Sequence, residues 1–119
     1  MATDSSEEAR QLTLALIQAM DLLGLYRAEL ARVLHVHCGD VGALATGRTF
    51  LQPGTRAWQQ ARQFVALYQL LSDKMQHDEV KIYHWLRAFN PALAGTPLLL
   101  IVDDDRLQQV TDYLRHQYD

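Results

Sequence analysis

The stretch Trp85-Leu86-Arg87-Ala88-Phe89-Asn90-Pro91-Ala92-Leu93-Ala94-Gly95-Thr96-Pro97-Leu98 changes direction twice while staying mostly apolar. Proline drives the residue before it out of the α region, so a helix carrying Trp85, Leu86 and Phe89 is expected to stop at Asn90. Asn90 can then cap the next turn, with Pro91 in first position, where its missing N–H costs nothing. Gly95 is expected to end that turn, and Thr96-Pro97 to repeat the cap-and-start device. Bends this short, filled with Trp, Phe and Leu, predict a rigid knuckle between helices. A knuckle serves as a corner of the core or as a docking surface. Core packing is the first expectation for Trp85 and Phe89, the role of interface anchor the second.

The apolar run Leu98 to Val102, just after the knuckle, fits a buried strand or a buried helix by periodicity alone. No second convincing strand pattern exists to pair with it, so a short buried helix after Pro97 is expected. Asp103-Asp104-Asp105 then opens the last helix, where acids are favoured by the helix dipole, and Leu107, Val110 and Leu114 form its inner face. Ahead of the knuckle, Thr55 can cap a long helix whose apolar face is Ala57, Ala61, Phe64, Val65, Tyr68 and Leu71. Gln76-His77-Asp78 reads as a break, with Asp78 or a neighbour capping a helix through Phe89. At the start, Ser5-Ser6-Glu7-Glu8 forms a capping box with Ser5 as cap, leaving residues 1–6 as a loose tail. Leu12, Leu16, Ala19, Met20 and Leu23 then share one face until Gly24. Helical periodicity throughout predicts an all-α chain of about six or seven helices, with Trp85, Leu86, Phe89 and Leu98 near the junction of two lobes.

Composition limits the classes open to the chain. Its 119 residues suffice for one domain, or for two small helical lobes sharing a core. With 49% hydrophobic and 21% charged residues it is a folding chain, not a disordered one. A net charge of −3 argues against general coating of nucleic acid, though not against a local basic patch. The single cysteine, Cys38, cannot form an internal disulfide, and no apolar segment follows a basic start. Together these lead us to expect a reducing cytoplasm. The longest apolar run has five residues, too short for a bilayer, so no membrane partner is expected.

The region between Leu25 and Thr55 has a pattern of its own. A helix is expected over Tyr26–Leu34, a turn over His35–Gly39, and a short helix over Asp40–Thr46 closed by Gly47. Pro53-Gly54 marks the loop that follows. Helix-turn-helix units need a small residue where the first helix crosses the second, and an apolar residue ten positions later. Ala31 and Val41 meet that spacing. The run Leu30-Ala31-Arg32-Val33-Leu34-His35-Val36, with Val41, Leu44 and Gly47-Arg48, resembles the helix-turn-helix of the Xre class of bacterial regulators. His35 stands at a turn position that class usually fills with glycine.

The presumed reading face, His37, Cys38, Gly39, Gly42, Ala43 and Thr46, carries small side chains, and Gly42 costs roughly 1 kcal/mol of helix stability relative to alanine. Five arginines (Arg27, Arg32, Arg48, Arg56, Arg62) face only Glu29 and Asp40 between Leu25 and Arg62, which suits phosphate contact. His37, Thr46 and above all Arg48 are the candidate DNA contacts. Binding to operator DNA is expected to be modest, salt-sensitive and dependent on a homodimer.

Beside that lobe, the opening stretch acquires a second meaning. Trp85-Leu86, then Phe89-Asn90-Pro91-Ala92-Leu93-Ala94-Gly95-Thr96-Pro97-Leu98, then Val110 and Leu114, resembles the C-terminal toxin-binding domain of Xre/MbcA/ParS-type antitoxins. That domain carries an Asn-Pro-x-Leu-x-Gly-x-x-Pro-type signature, here shortened to a single residue, Thr96, between Gly95 and Pro97. The order of parts also matches, which divides the chain into an Xre-like domain at 7–72 and a toxin-binding domain at 73–119. The turn Asp103-Asp104-Asp105-Arg106, where relatives often have glycine, departs from the pattern. The resemblance implies an antitoxin that covers the active site of a RES-domain toxin, an ADP-ribosyltransferase-like enzyme using NAD, and that represses its own operon in many cases. The cofactor would belong to the partner. Arg87, Asn90, Arg115 and Tyr118 are the expected toxin contacts, taken to be exposed, with Arg115 and Tyr118 at a free end able to reach into a cleft.

Other chemistry finds less footing. Three acids at 103–105 suggest capping before a cation site. His35-x-His37-Cys38 offers ligand types without a second cluster at believable spacing. His77, His84 and His116 are scattered, and no nucleophile elbow or phosphate loop frames a serine. No catalytic, cofactor or metal residue is therefore assigned, and an enzyme is not expected. Three readings stand: an antitoxin, a DNA-binding regulator without a toxin partner, and an interaction scaffold that keeps only the fold.

Overall fold

Helical periodicity is realised along the chain. In the computed structural model the described residues, 2–116 and 118, form seven helices and no strand, and side chains are described from Ser6 onward. The helices are α1 (Ala2–Leu23), α2 (Arg27–Leu34), α3 (Cys38–Ala45), α4 (Arg56–Lys74), α5 (Glu79–Arg87), α6 (Pro97–Val102) and α7 (Leu107–His116). The run 98–102 is thus helical, as the lack of a pairing strand requires.

Local chemistry explains most of the ends. Thr55 Oγ1 accepts from the Trp58 N–H at 3.1 Å to start α4, and Asp78 Oδ1 accepts from the Lys81 N–H at 3.1 Å to start α5. Two of the starts before α4 differ from expectation. α1 begins at Ala2, so Ser5 lies within the helix and 2–6 is not a loose tail; Met1 lies outside the described residues. The segment 2–6 holds no Gly or Pro, so the helix propagates backwards at one hydrogen bond per residue. α3 begins at Cys38 rather than Asp40, because Asp40 Oδ2 reaches back to accept from the His37 N–H at 3.0 Å. The turn between α2 and α3 shortens to His35-Val36-His37. His35 takes the left-handed conformation, φ 60°, that glycine supplies most cheaply.

One hydrophobic cluster joins all seven helices. Leu16 and Leu23 of α1, Leu30 and Leu34 of α2, and Val41 of α3 meet Phe64, Leu67 and Leu71 of α4, and the cluster runs on through Leu86, Ile101, Val110 and Leu114. Ala31 and Val41 are both buried, as the crossing of α2 and α3 demands. α4 packs against both α1 and α7, so its buried stripe is wider than a one-faced pattern predicts. Leu67 and Met75 are fully buried in consequence, while Ala57, Val65 and Tyr68 are half-buried. With α6 on α2 and α5 on α1, residues 7–72 and 73–119 share a core.

A buried hydroxyl ties the 47–55 loop to this core. Thr13 Oγ1 donates to the Ala9 carbonyl at 2.7 Å and accepts from the Leu51 N–H at 3.0 Å. Thr13→Val keeps the shape and orphans the Leu51 N–H, a cost of about 1–3 kcal/mol. Urea unfolding should show that loss with an unchanged slope; a loss below about 0.5 kcal/mol would show that the loop hydrates freely.

Candidate functional site

The knuckle is built from hydrogen bonds and one crowded contact. α5 stops at Arg87 and Ala88 turns extended, with φ −98° and ψ 147°. The reason lies ahead: Asn90 and Gly95 form an antiparallel bridge, Asn90 N–H to Gly95 O at 2.8 Å and Gly95 N–H to Asn90 O at 3.3 Å. A chain entering such a bridge must already be extended. Asn90 Oδ1 caps the turn as expected, accepting from Ala92 N–H at 2.9 Å and Leu93 N–H at 3.3 Å. Gly95 plays another part than expected. Ala94 takes the left-handed conformation, φ 55°, while a Cβ on Gly95 would come within 3.2 Å of the Leu100 side chain. Gly95 is there for close approach to α6. Thr96 precedes α6 without a side-chain cap bond, and Pro97 opens the helix.

The early end of α5 overturns the expectation for Phe89. It stands 66% exposed rather than in the core, while Leu86 and Leu98 are buried. Trp85 is half-buried, stacked on Tyr113 with centroids 6.4 Å apart and met edge-on by Tyr118 at 6.1 Å. Helical spacing from Leu86 misled the assignment of Phe89. Only the bridge at Asn90, six residues in one hydrogen-bonded loop, reveals its exposure.

Of the expected toxin contacts, Arg115 is exposed, its side chain 48% so, and lies 3.9 Å from Asp112. The other three are half-buried and engaged, a correction to the exposure expected of them. Arg87 Nη2 donates to the Leu23 and Gly24 carbonyls at 3.1 Å each, closing the C-terminus of α1. Its guanidinium also lies 3.7 Å above the Tyr83 ring. Asn90 is spent on its own turn. Tyr118 folds back on Trp85, its N–H donating to Tyr113 O at 3.1 Å, so it is not a free end. The arrangement nevertheless gathers one surface. A cleft of about 490 Å³ lies between the knuckle residue Leu93 and the α7 residues Gln108, Asp112, Tyr113 and His116.

The DNA candidates fall at two ends of α3. His37 precedes it; Thr46 follows it, its Oγ1 donating to Gly42 O at 3.0 Å and accepting from Arg48 Nε at 3.2 Å. α3 has eight residues, so these groups are separated by roughly 12 Å of helix. Gly42 is buried rather than on the reading face, because Arg27 covers it; an added Cβ would meet Arg27 Nη1 at 3.3 Å. Exposed Asp40 joins Cys38 and Gly39 in the first turn.

The acidic turn is the feature that the sequence hid. Asp103 ends α6 and α7 begins only at Leu107, so the three acids do not open the last helix. Asp103 and Asp105 reach across to the helix-turn-helix instead. Arg32 Nη1 donates to Asp103 Oδ1 at 2.6 Å, and Arg56 Nη2 to Asp105 Oδ2 at 3.3 Å. His35 Nε2 lies 3.0 Å from Asp105 Oδ1 and 3.1 Å from Arg56 Nη2. That nitrogen serves one neighbour at a time, donating to the carboxylate as N–H or accepting from the guanidinium when bare. Two of the five arginines expected at phosphate are therefore occupied. Asp105 has φ 56°, where the chain leaves α6 and the Arg106 N–H donates to the Leu100 carbonyl at 2.9 Å.

Among the described residues no group of three or more His, Cys, Asp or Glu is placed to hold a metal ion, and no helix is long and apolar enough to cross a membrane. Compared with known proteins, the chain matches no family model and no curated sequence.

Proposed function

We propose that the chain is the antitoxin of a toxin–antitoxin pair, binding and neutralising a RES-domain, NAD-using toxin through the surface made by the knuckle and α7. The observation that carries this reading is Phe89, a large aromatic 66% exposed at the mouth of a hydrogen-bonded turn. Aromatic anchors dominate interface energetics, and a surface already fixed before contact loses less entropy on binding. Arg115 on α7 adds an exposed charge to the same lobe. The resemblance of the Asn90-Pro91 to Pro97-Leu98 segment to toxin-binding domains points the same way. The helix-turn-helix lobe would then serve autorepression by a cytoplasmic homodimer.

Co-expression with the toxin encoded by the neighbouring reading frame tests the reading. Full-length protein and Arg48→Ala should protect growth, whereas Arg115→Ala should weaken protection. A chain cut after Leu114 should lose it, and circular dichroism must accompany that variant because the cut also removes Tyr118 from Trp85. Protection lost only with Arg48→Ala would sink the toxin-binding assignment.

A second reading, a DNA-binding regulator without a toxin partner, draws on one observation. Arg27, Arg48 and Arg62 are exposed and make no ion pair among the described residues. Arg48→Ala should lower affinity for all duplex sequences about equally and reduce the salt slope by about one. A change of preferred base at one position would show that Arg48 reads bases and not phosphate.

A further inference from the structure

We infer that the acidic turn at Asp103–Asp105 is an intramolecular competitor for nucleic-acid phosphate, holding Arg32 and Arg56 of the helix-turn-helix lobe out of duplex contact until it is displaced. The inference is independent of the toxin reading and rests on the helix-turn-helix lobe meeting duplex DNA. Four observations carry it. First, both arginines stay solvent-accessible, their side chains 66% and 65% exposed, so they are within reach of an external ligand. Second, they flank the turn between α2 and α3. Arg32 lies in the last turn of α2 and Arg56 opens α4, and a groove lined by His35, Asp40 and Arg56 places Arg56 across from the first turn of α3. Third, the acids lie 71 and 49 residues away in sequence from Arg32 and Arg56, so the pairing is a property of the tertiary fold. Fourth, the left-handed Asp105 has its carboxylate within reach of both His35 and Arg56, so one acid engages two groups of the helix-turn-helix side.

The chemistry of exchange is simple. A carboxylate and a phosphate offer guanidinium the same kind of paired oxygen acceptors. Exposed ion pairs are individually weak, so they can open. While closed, however, they place negative charge where the duplex backbone would come, and each arginine held this way releases no DNA counterion. Opening need not disturb the core, because the clasp lies on its rim.

Anisotropy titration of a fluorescent random-sequence duplex with the full-length protein tests the idea, across 50 to 200 mM salt. The variant Asp103→Asn/Asp105→Asn removes charge while keeping shape. It should bind the duplex roughly tenfold or more tighter at 50 mM salt, with a salt slope steeper by about two, one for each arginine released. Its advantage should shrink about tenfold by 200 mM for the same reason. Asp105→Asn alone should give about half the change in slope. A control with the same change of net charge, Asp73→Asn/Glu79→Gln, sits away from the arginines and should leave the slope unaltered. Adding Arg32→Ala/Arg56→Ala to the asparagine pair should erase the gain. If the asparagine pair and the control tighten binding equally, net charge is the cause and the inference is wrong. If wild type binds while the asparagine pair keeps the same affinity and slope, the clasp is structural only. If no variant binds duplex at all, the inference falls together with the DNA-binding reading, and the co-expression result above still decides the toxin reading separately.

Discussion

Phe89→Asp should abolish the toxin neutralisation proposed above while leaving the protein folded. At 66% exposure the ring contributes little to the core, so the substitution should stay within about 0.5 kcal/mol of wild type in stability. That corresponds to a melting shift of about 3 °C or less for a chain of this size. Its effect on binding should be far larger. Losing an aromatic hot spot costs about 2 kcal/mol or more, at least roughly 30-fold in affinity. An aspartate buried in its place adds the desolvation of an unpaired carboxylate. Growth under toxin expression should fail with Phe89→Asp and persist with Phe89→Tyr, which keeps the ring. Full protection by the aspartate variant would remove Phe89 from the interface.

The second large effect concerns the core. Phe64 is fully buried on α4, the helix that packs against both α1 and α7. Phe64→Ala should cost about 3–5 kcal/mol, from the lost transfer energy and the cavity left behind. Domains of this kind are stable by about 5–15 kcal/mol, so roughly a fifth or more of the total is at stake. Melting should fall by on the order of 15 °C. Because both sequence segments share the core, the loss should be felt at once along the whole chain. Far-ultraviolet circular dichroism and the fluorescence of Trp85, read in a Trp58→Phe background, should report one coincident transition before and after the substitution. Two separated transitions would mean that residues 7–72 and 73–119 fold as independent units.

The helical class and most helix positions were legible because they follow from local rules. Thr55 and Asp78 announce their helices by side-chain caps, and Ala31 with Val41 announces the α2–α3 crossing by spacing alone. Three features were not legible, for physical reasons. Phe89 sits at helical spacing from Leu86, and its exposure depends on the backbone bridge from Asn90 to Gly95, which no periodicity encodes. Gly95 looked like a left-handed stop, yet Ala94 takes that conformation, and Gly95 answers to the Leu100 side chain packed on it. The acids at 103–105 carried a sound local explanation, helix-start electrostatics, which the pairing of Asp103 and Asp105 with Arg32, His35 and Arg56 displaced. Interactions between positions 49 to 71 residues apart leave no trace in a single sequence.

The candidate site was legible in part. The knuckle was found from Asn90-Pro91 and Thr96-Pro97, and the cap by Asn90 was read correctly. The exposure of its neighbours was not, since Arg87 is drawn to the carbonyls ending α1 and Tyr118 to the ring of Trp85. Arg87 thereby becomes a strut between α1 and α5, and Arg115 the exposed charge beside the cleft.

Hydrogen–deuterium exchange of the protein, alone and bound to the toxin from the neighbouring reading frame, would locate the contact surface without any substitution. The toxin should slow exchange across residues 88–96 and 107–116, the knuckle and α7, and leave residues 38–48, α3 and its exit, as they are in the free protein. Slowed exchange over 38–48 with residues 88–96 and 107–116 unchanged would contradict the assignment of the knuckle and α7 as the toxin-binding surface.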